Sequence, residues 1–484
     1  MSTTAAPASA GTGVVAALAL TGTTVSIMQT LVVPLTPVLP QLFHTSASNT
    51  SWIITITLLV GSVATPVMGR LGDMFGKKRM LLTCVALLTV ASIVCAFADT
   101  LLVAVIGRGI QGVGVAAIPL GISLMRDIVA PVRLGSAVAL MSSSLGAGGA
   151  LGLPIAAFIA DRWGWSELFW FAAAVSLVCF VAVAVFVPES PVRVPATVDH
   201  AGVVGLTVFL VALLLVISKG ASWGWTSGTV VALTAIGLVT AMVWGWWELR
   251  VDSPVVDLRS TARRPVLLTN LASIMTGFTM YAMNLLAPQM LQLPKATGFG
   301  VGLSILAVGL WMAPAGLIMV GMSQVAATLT RARGAKTSLM VGIVVMCIGN
   351  VVVQLTLSTA SAWSVLLFSC IVSMGVAFAY AAMPTLIMAN VGVHETAAAN
   401  GLNSLARSIG TSSASAVVGA VIGQMTVSLG GRDVLSESGA RVALVICTVA
   451  GLLALLLAAS IPVRHEREQP AATAAPTGSA RSHG

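Results

Sequence analysis

The chain has 484 residues, of which 57% are hydrophobic and only 8% charged. A soluble domain carries about 25% charged residues, so a chain this poor in charge cannot cover a water-facing surface and reads as a multispanning membrane protein. The formal net charge of +9 does not call for nucleic acid, because the cations gather in short loops and no basic stripe interleaves with aromatics.

Apolar runs of about 20 residues cross a bilayer as helices at 1.5 Å rise per residue. About fourteen are expected, near residues 13–40, 50–69, 79–98, 101–124, 134–159, 167–187, 202–218, 226–247, 266–290, 302–326, 337–357, 362–388, 397–425 and 439–463. Seventeen of the 24 Lys and Arg then fall on one side and five on the other, with Arg108 and Arg407 inside spans. The positive-inside rule makes the richer side, with both termini, cytoplasmic. The expected location is the cell membrane. Residues 1–12 form a short cytoplasmic tail without a signal-peptide pattern. Residues 464–484, made of Ala, Pro, Ser and charge, are expected to be a disordered cytoplasmic tail. The six cysteines fall within apolar runs and the five histidines in loops or tails, so neither disulfides nor a metal site is expected.

In chain order, span 1 ends with Pro34, Pro37 and Pro40 at helical spacing, which predicts a kinked end. Residues 69–80, GRLGDMFGKKRM, read as a very short basic turn at the membrane surface. Gly72 and Gly76 allow a tight backbone, and Asp73 is the lone acid among Lys77, Lys78 and Arg79. Asp73 has three readings: a cap on a neighbouring helix N-terminus, a partner for Arg126 or Arg133, or a solubilising charge. Arg108 sits about two turns into span 4, where a guanidinium is costly unless paired or hydrated. It is either a functional group or a structural hub with Gln111 and nearby carbonyls. Span 5 carries GAGGALGLP from Gly146 to Pro154, whose small residues allow close helix approach and whose proline supplies a kink.

A degenerate second copy of the Asp73 turn follows span 10, as RARGAK from Arg331 to Lys336. Setting Gly334 against Gly76 puts Lys336 against Lys78 and Arg331 against Asp73. That spacing divides the chain into a six-helix bundle over 13–190, an inserted helix pair with linkers over 191–260 and a second six-helix bundle over 261–463.

These residues resemble the major facilitator superfamily, and within it the fourteen-span drug/proton antiporter branch. Gly69, Leu71, Asp73, Gly76, Lys77 and Lys78 fit the superfamily's G-x-L-x-D-x-x-G-[KR]-[KR] signature. Arg108, Gln111 and Gly112 fit R-x-x-Q-G. Gly148 and Gly152 fit the start of the span-5 antiporter motif, with Pro154 one place late and Ala156 and Ala157 where glycines stand in the family. Residues 221–225, 248–258 and 400–410 also look like that branch. Where the branch has Asp and Asn in span 1, this chain has Met28 and Val33, so the usual anchor for a cationic drug is missing.

The resemblance implies an all-α polytopic fold of two six-helix bundles plus two inserted helices. It implies that the Asp73 turn, with Gly69, Gly76, Lys77, Lys78 and Arg79, latches the outward-facing state. It links Arg108 to proton coupling; if protons are coupled, the positions of the acids leave Asp127 and Asp73 as the remaining candidates, with Asp161 at the outer end of span 5 open by sidedness. It also implies a cavity lined by spans 1, 4 and 5 and their counterparts. Candidate liners are Met28, Gln29, Thr30, Arg108, Gln111, Tyr281, Asn284, Trp311, Tyr380, Met383, Asn403 and Arg407, with Asn270, Phe278, Met283 and Gln289 in the wider set.

All fifteen acids lie in or near predicted loops. Exporters of cations generally use a buried carboxylate, so the expected substrate is hydrophobic and neutral or anionic, with Arg108 or Arg407 supplying the positive field. The leading expectation is export of drugs, antibiotics or secondary metabolites by alternating access, with protons as the coupling ion. The alternative is coupled uptake or facilitated transport of a small metabolite. An enzyme is not expected, since no acid or histidine lies at membrane depth. No cofactor and no ATP site of the G-x-x-x-x-G-K-[ST] type is expected. Short loops without soluble domains suggest a monomer.

Overall fold

A computed structural model describes residues 12–35, 38–193, 197–359, 361–429 and 432–462. Fourteen helices are long and apolar enough to cross a membrane. They are α1 (Thr12–Thr30), α2 (Trp52–Phe75), α3 (Lys77–Ala96), α4 (Leu101–Ile128), α5 (Pro131–Arg162), α6 (Trp165–Phe186) and α7 (His200–Trp223). After these come α8 (Gly228–Glu248), α9 (Arg264–Gln292), α10 (Ile305–Arg333), α11 (Ala335–Leu355), α12 (Ala362–Asn390), α13 (Thr396–Gln424) and α14 (Glu437–Ala459). A two-stranded antiparallel hairpin, Thr426–Leu429 with Arg432–Leu435, joins α13 to α14. Nothing in the residue pattern had announced it.

Several helix starts are fixed by side-chain caps that satisfy orphan amides. Thr100 accepts from Val103 N, Ser227 from Val230 N and Ser436 from Gly439 N. Ser361 and Ser364 cap α12 reciprocally.

One buried apolar cluster draws almost entirely on α1–α6, from Val14 to Val187. A second draws on α9–α14. α7 lies along the seam between them. Its Leu206 and Leu210 are buried with Leu405 of α13, and Val63 and Val67 of α2 pack against the same cluster. Near the other end of α7, Lys219 donates to Ser51 Oγ at 2.5 Å and lies over the Trp52 ring.

Three expectations change at helix ends. Residues 69–80 are not a surface turn: α2 runs to Phe75, α3 begins at Lys77, and only Gly76 lies between them. Gly76 has φ 111°, a backbone that L side chains avoid, so one residue makes the corner. Its counterpart Gly334 (φ 82°) is likewise the only residue between α10 and α11. α10 therefore extends past the expected end near 326, and Arg331 and Arg333 are helical. Helix α1 stops at Thr30 instead of running kinked to residue 40. A 3-10 turn, Val33–Leu35, and a short helix, Leu39–Leu42, follow, as expected where prolines withdraw backbone donors. Pro37 lies outside the described residues, as do the tails apart from Thr12.

Candidate functional site

Two sites emerge, a charged seal at the Gly76 end of the bundle and a cavity between the two clusters. At the seal, Asp73 occupies the last turn of α2 and is almost fully buried. Its Oδ2 accepts from Ala398 N, in the first turn of α13, at 3.2 Å. The carboxylate thus meets the positive end of a 29-residue helix, which is the first of its three readings. It does not pair with Arg126 or Arg133. Arg126 crosses the seam independently, donating to Thr396 Oγ1 at 2.6 Å and to the Val391 carbonyl at 3.5 Å, while Arg133 is exposed.

Lys77 is the hub behind Asp73. It is fully buried, not a surface cation, with Nζ 2.7 Å from Asp127 Oδ2 and 3.5 Å from Asp73 Oδ1. Ser190 Oγ donates to the same Asp127 oxygen at 2.5 Å. Glu189 Oε1 accepts from Lys78 N at 3.0 Å, and Lys78 Nζ donates to the Ala184 carbonyl at 3.0 Å. Lys78 is therefore tied to its own half, and Arg79 is exposed. Gly69 is where α2 and α13 touch: a Cβ there would meet the Ala397 carbonyl oxygen at 2.7 Å. A Cβ on Gly401 would likewise meet Thr65 O at 2.8 Å.

Arg108 is buried in α4 and has its guanidinium satisfied by neutral groups. It donates to Gln111 Oε1 (2.7 Å), Met28 O (3.1 Å) and Ile53 O (3.3 Å), and Gln111 donates on to Ser92 Oγ at 2.8 Å. This is the hydrogen-bond hub, built as expected from Gln111 and nearby carbonyls.

Gly148 and Gly152 bring α5 against α1. A Cβ on Gly148 would meet Thr23 O at 2.7 Å, and one on Gly152 would overlap Thr30 Oγ1. Ser26 Oγ closes the contact by donating to Leu145 O at 2.6 Å. Pro154 faces the other half, 3.2 Å from where a Cβ on Gly309 of α10 would stand. The motif thus serves contacts within one half and across the seam.

The cavity has a volume of about 330 Å³, within the range of small-molecule pockets. Five of the twelve expected liners reach it: Gln29, Thr30, Asn284, Tyr380 and Arg407. The other seven do not line it. Met28, Gln111 and Arg108 are buried in the hub. Tyr281 donates to Ser415 Oγ at 2.7 Å, and Trp311 sits edge-on to Trp363. Met383 is fully buried, and Asn403 is held by Asn270 Oδ1 and Ser273 Oγ. Sequence reasoning missed the small hydroxyls Ser404, Ser408, Thr411 and Ser412, and the thioethers Met280, Met312 and Met319. The hydroxyls recur at i, i+4, i+7 and i+8, one face of α13, a signal the sequence does contain. The floor lies near Ile118, Tyr380 and Ser404, about two to three turns from the Gly76 end.

The family profile described as Major Facilitator Superfamily matches residues 18–415. The chain belongs to the Major Facilitator Superfamily. It is 26% identical over 387 residues to the uncharacterized MFS-type transporter YvkA of Bacillus subtilis (strain 168), covering 80% of this chain and 85% of that one. It is 25% identical over 389 residues to the multidrug resistance protein Stp of Mycobacterium tuberculosis (strain CDC 1551 / Oshkosh), covering 80% and 71%. In fold it is similar to the human organic anion transporter MFSD10 (TETRAN), with a TM-score of 0.67 at 15% identity, over 92% of this chain and 99% of that one. This MFS protein is thus a transporter and not an enzyme.

Proposed function

We propose that this transporter exports hydrophobic small molecules, neutral or anionic, from the cytoplasm by proton-coupled antiport. Alternating access moves the two halves about the central cavity. The Gly76 end is the cytoplasmic one, by the bias of its cations, so the seal of Asp73, Arg126 and α13 closes the inner gate. The observation that carries this reading is the cavity itself. It holds methionines, hydroxyls and one cation, and among the described residues no carboxylate lines it. Thioethers suit a loosely selective apolar pocket. The similarity to a multidrug resistance protein supports export over uptake, at a distance of 25% identity. Asp127 and Asp73, joined through Lys77, are the proposed proton-coupling acids, and Arg108, held in its own hub toward the other end of α4, is the proposed coupling cation.

The test is a susceptibility panel of neutral, anionic and cationic antibiotics and dyes in an efflux-deficient bacterial host. Wild type, Asp73→Asn and Arg108→Ala are compared with empty vector at matched membrane expression. Protection against neutral or anionic compounds that both substitutions abolish is the expected result. Sensitisation by wild type would turn the direction to uptake. Protection confined to cations would overturn the substrate reading and leave export standing.

A further inference from the structure

Arg407 is the one ionised side chain on the cavity wall among the described residues, and its surroundings are neutral. Its guanidinium lies over the Tyr380 ring, 4.7 Å from the centroid. Nη1 donates to Asn403 Oδ1 at 3.1 Å and Nη2 to Ser404 Oγ at 3.2 Å. Asn403 is fixed in turn by Asn270 and Ser273 of α9, and Tyr380 by its hydroxyl's contact with Met280 Sδ at 3.3 Å. The cation is therefore held in place on three sides yet opens to the cavity on the fourth. None of the ion pairs among the described residues involves it. Arg108, the other cation expected to supply a field, is sealed in its hub and turned to carbonyls.

A fixed guanidinium in a low-dielectric cavity, without a protein carboxylate, is a preformed receptor for an oxyanion. We infer that the transported species is an amphipathic organic monoanion, whose carboxylate or sulfonate docks on Arg407. Its apolar body lies against Met280, Met283, Met312 and Met319 of α9 and α10. This rests on the transporter reading of the cavity and narrows it from neutral or anionic to anionic. One charge on the wall selects one charge on the ligand. A dianion would leave its second charge unpaired beside thioethers, and a cation would face like charge with no acid to offset it.

The test uses purified full-length protein in detergent micelles and three radiolabelled probes sharing one skeleton: 1-naphthaleneacetate, its neutral amide, and 2-(1-naphthyl)ethylammonium. Equilibrium binding is measured for wild type, Arg407→Gln, Arg407→Lys and Arg407→Glu, each checked for monodispersity. The acid is expected to bind wild type at least about tenfold more tightly than either analogue, the worth of one good charge-assisted contact. Arg407→Gln should erase that preference, Arg407→Lys should keep part of it, and Arg407→Glu should reverse it towards the ammonium. Equal binding of acid and amide, absence of acid binding, or an unchanged preference in Arg407→Gln would overturn the assignment. Uptake of the same probes into inverted membrane vesicles separates the two proposals. Anion binding without transport would sink the export reading and leave the site. Transport of amide and acid alike would sink the site and leave export.

Discussion

The two glycine corners of this transporter share a backbone and differ in chemistry. At Gly76, a buried acid reaches across the seam to the first turn of α13, with Lys77 and Asp127 behind it. At Gly334, the residue in the place of Asp73 is Arg331, which donates to Thr328 on its own helix at 3.3 Å. Lys336 stays within its own half, donating to the carbonyls of Ala459 and Ile461. The helix that α13 corresponds to in the first half is α5, and the Arg331 side chain lies beside it near Gly135. An acid at a helix N-terminus is favourable and a cation there is not. The two corners thus share a positive-φ glycine and differ in the residue three places before it, an acid at one and a cation at the other.

The sharpest way to break the difference is to remove the room for contact. Gly69→Leu adds a branched side chain where even a Cβ would meet Ala397 O at 2.7 Å. The seal should not close, and transport should be lost. Spin labels at Arg79→Cys and Arg333→Cys, in a background with the native cysteines replaced, should show the Gly76 end spread apart by double electron–electron resonance. A distance distribution like that of the parent would mean α2 and α13 do not form the seal.

Lys77→Met comes next. It leaves the Asp73 and Asp127 carboxylates facing each other without a cation, and breaking a buried ion pair from one side costs about 3–5 kcal/mol. Folded yield after purification should fall steeply, and Asp127→Asn should restore much of it by removing one of the two charges. If Lys77→Met alone purifies like wild type, the lysine is not the hub of this cluster.

Asp73→Asn keeps the shape and removes the charge. An amide oxygen still accepts from Ala398 N, so only the charge–dipole part of the cap is lost, about 0.3–2 kcal/mol. The same spin-label pair should show a partial shift towards the spread distance, smaller than in Gly69→Leu. A shift as large as that of Gly69→Leu would mean that charge, and not close backbone approach, holds the seal.

The sequence made the Gly76 corner and the acid legible, because a six-residue signature fixes both by spacing, but it left three readings of what the acid meets. It also placed Gly334 correctly through the internal alignment. It misjudged Lys77, since three consecutive cations look like a solvated surface until α2 is seen to continue through Asp73 and turn the first of them inward. In the cavity it found Gln29, Thr30, Asn284, Tyr380 and Arg407 but chose wrongly among large side chains. Met28, Trp311 and Met383 have the right chemistry for a wall, yet rotation about a helix axis of a few tens of degrees decides between wall and interior. Helices that are apolar all round carry no amphipathic stripe to settle that rotation. Small hydroxyls were overlooked because serine in a membrane helix often bonds its own backbone, as Ser408 does to Ser404 O at 3.2 Å, whereas Ser373 donates to Met283 Sδ at 3.5 Å.

The smallest expected effect is also the most direct test of what separates the corners. Arg331→Asp gives the second corner the acid it lacks and places it beside the N-terminal part of α5, as Asp73 stands to α13. If the side-chain charge is the deciding element, the variant gains a second tie across the seam, worth about 0.3–1 kcal/mol for a partly exposed charge at a helix start. The spin-label distance at the Gly76 end should narrow, turnover in inverted vesicles should slow because opening costs more, and both changes should fade at high salt as an exposed interaction is screened. The added tie should also compensate in part for Asp73→Asn in the double variant, since the two contacts close the same end of the bundle from opposite sides of the pseudo-repeat. A double variant as spread as Asp73→Asn alone would show that the corner also needs the cluster behind it. In that case Lys77 and Asp127 carry the difference, and the acid at position 73 is only its visible end.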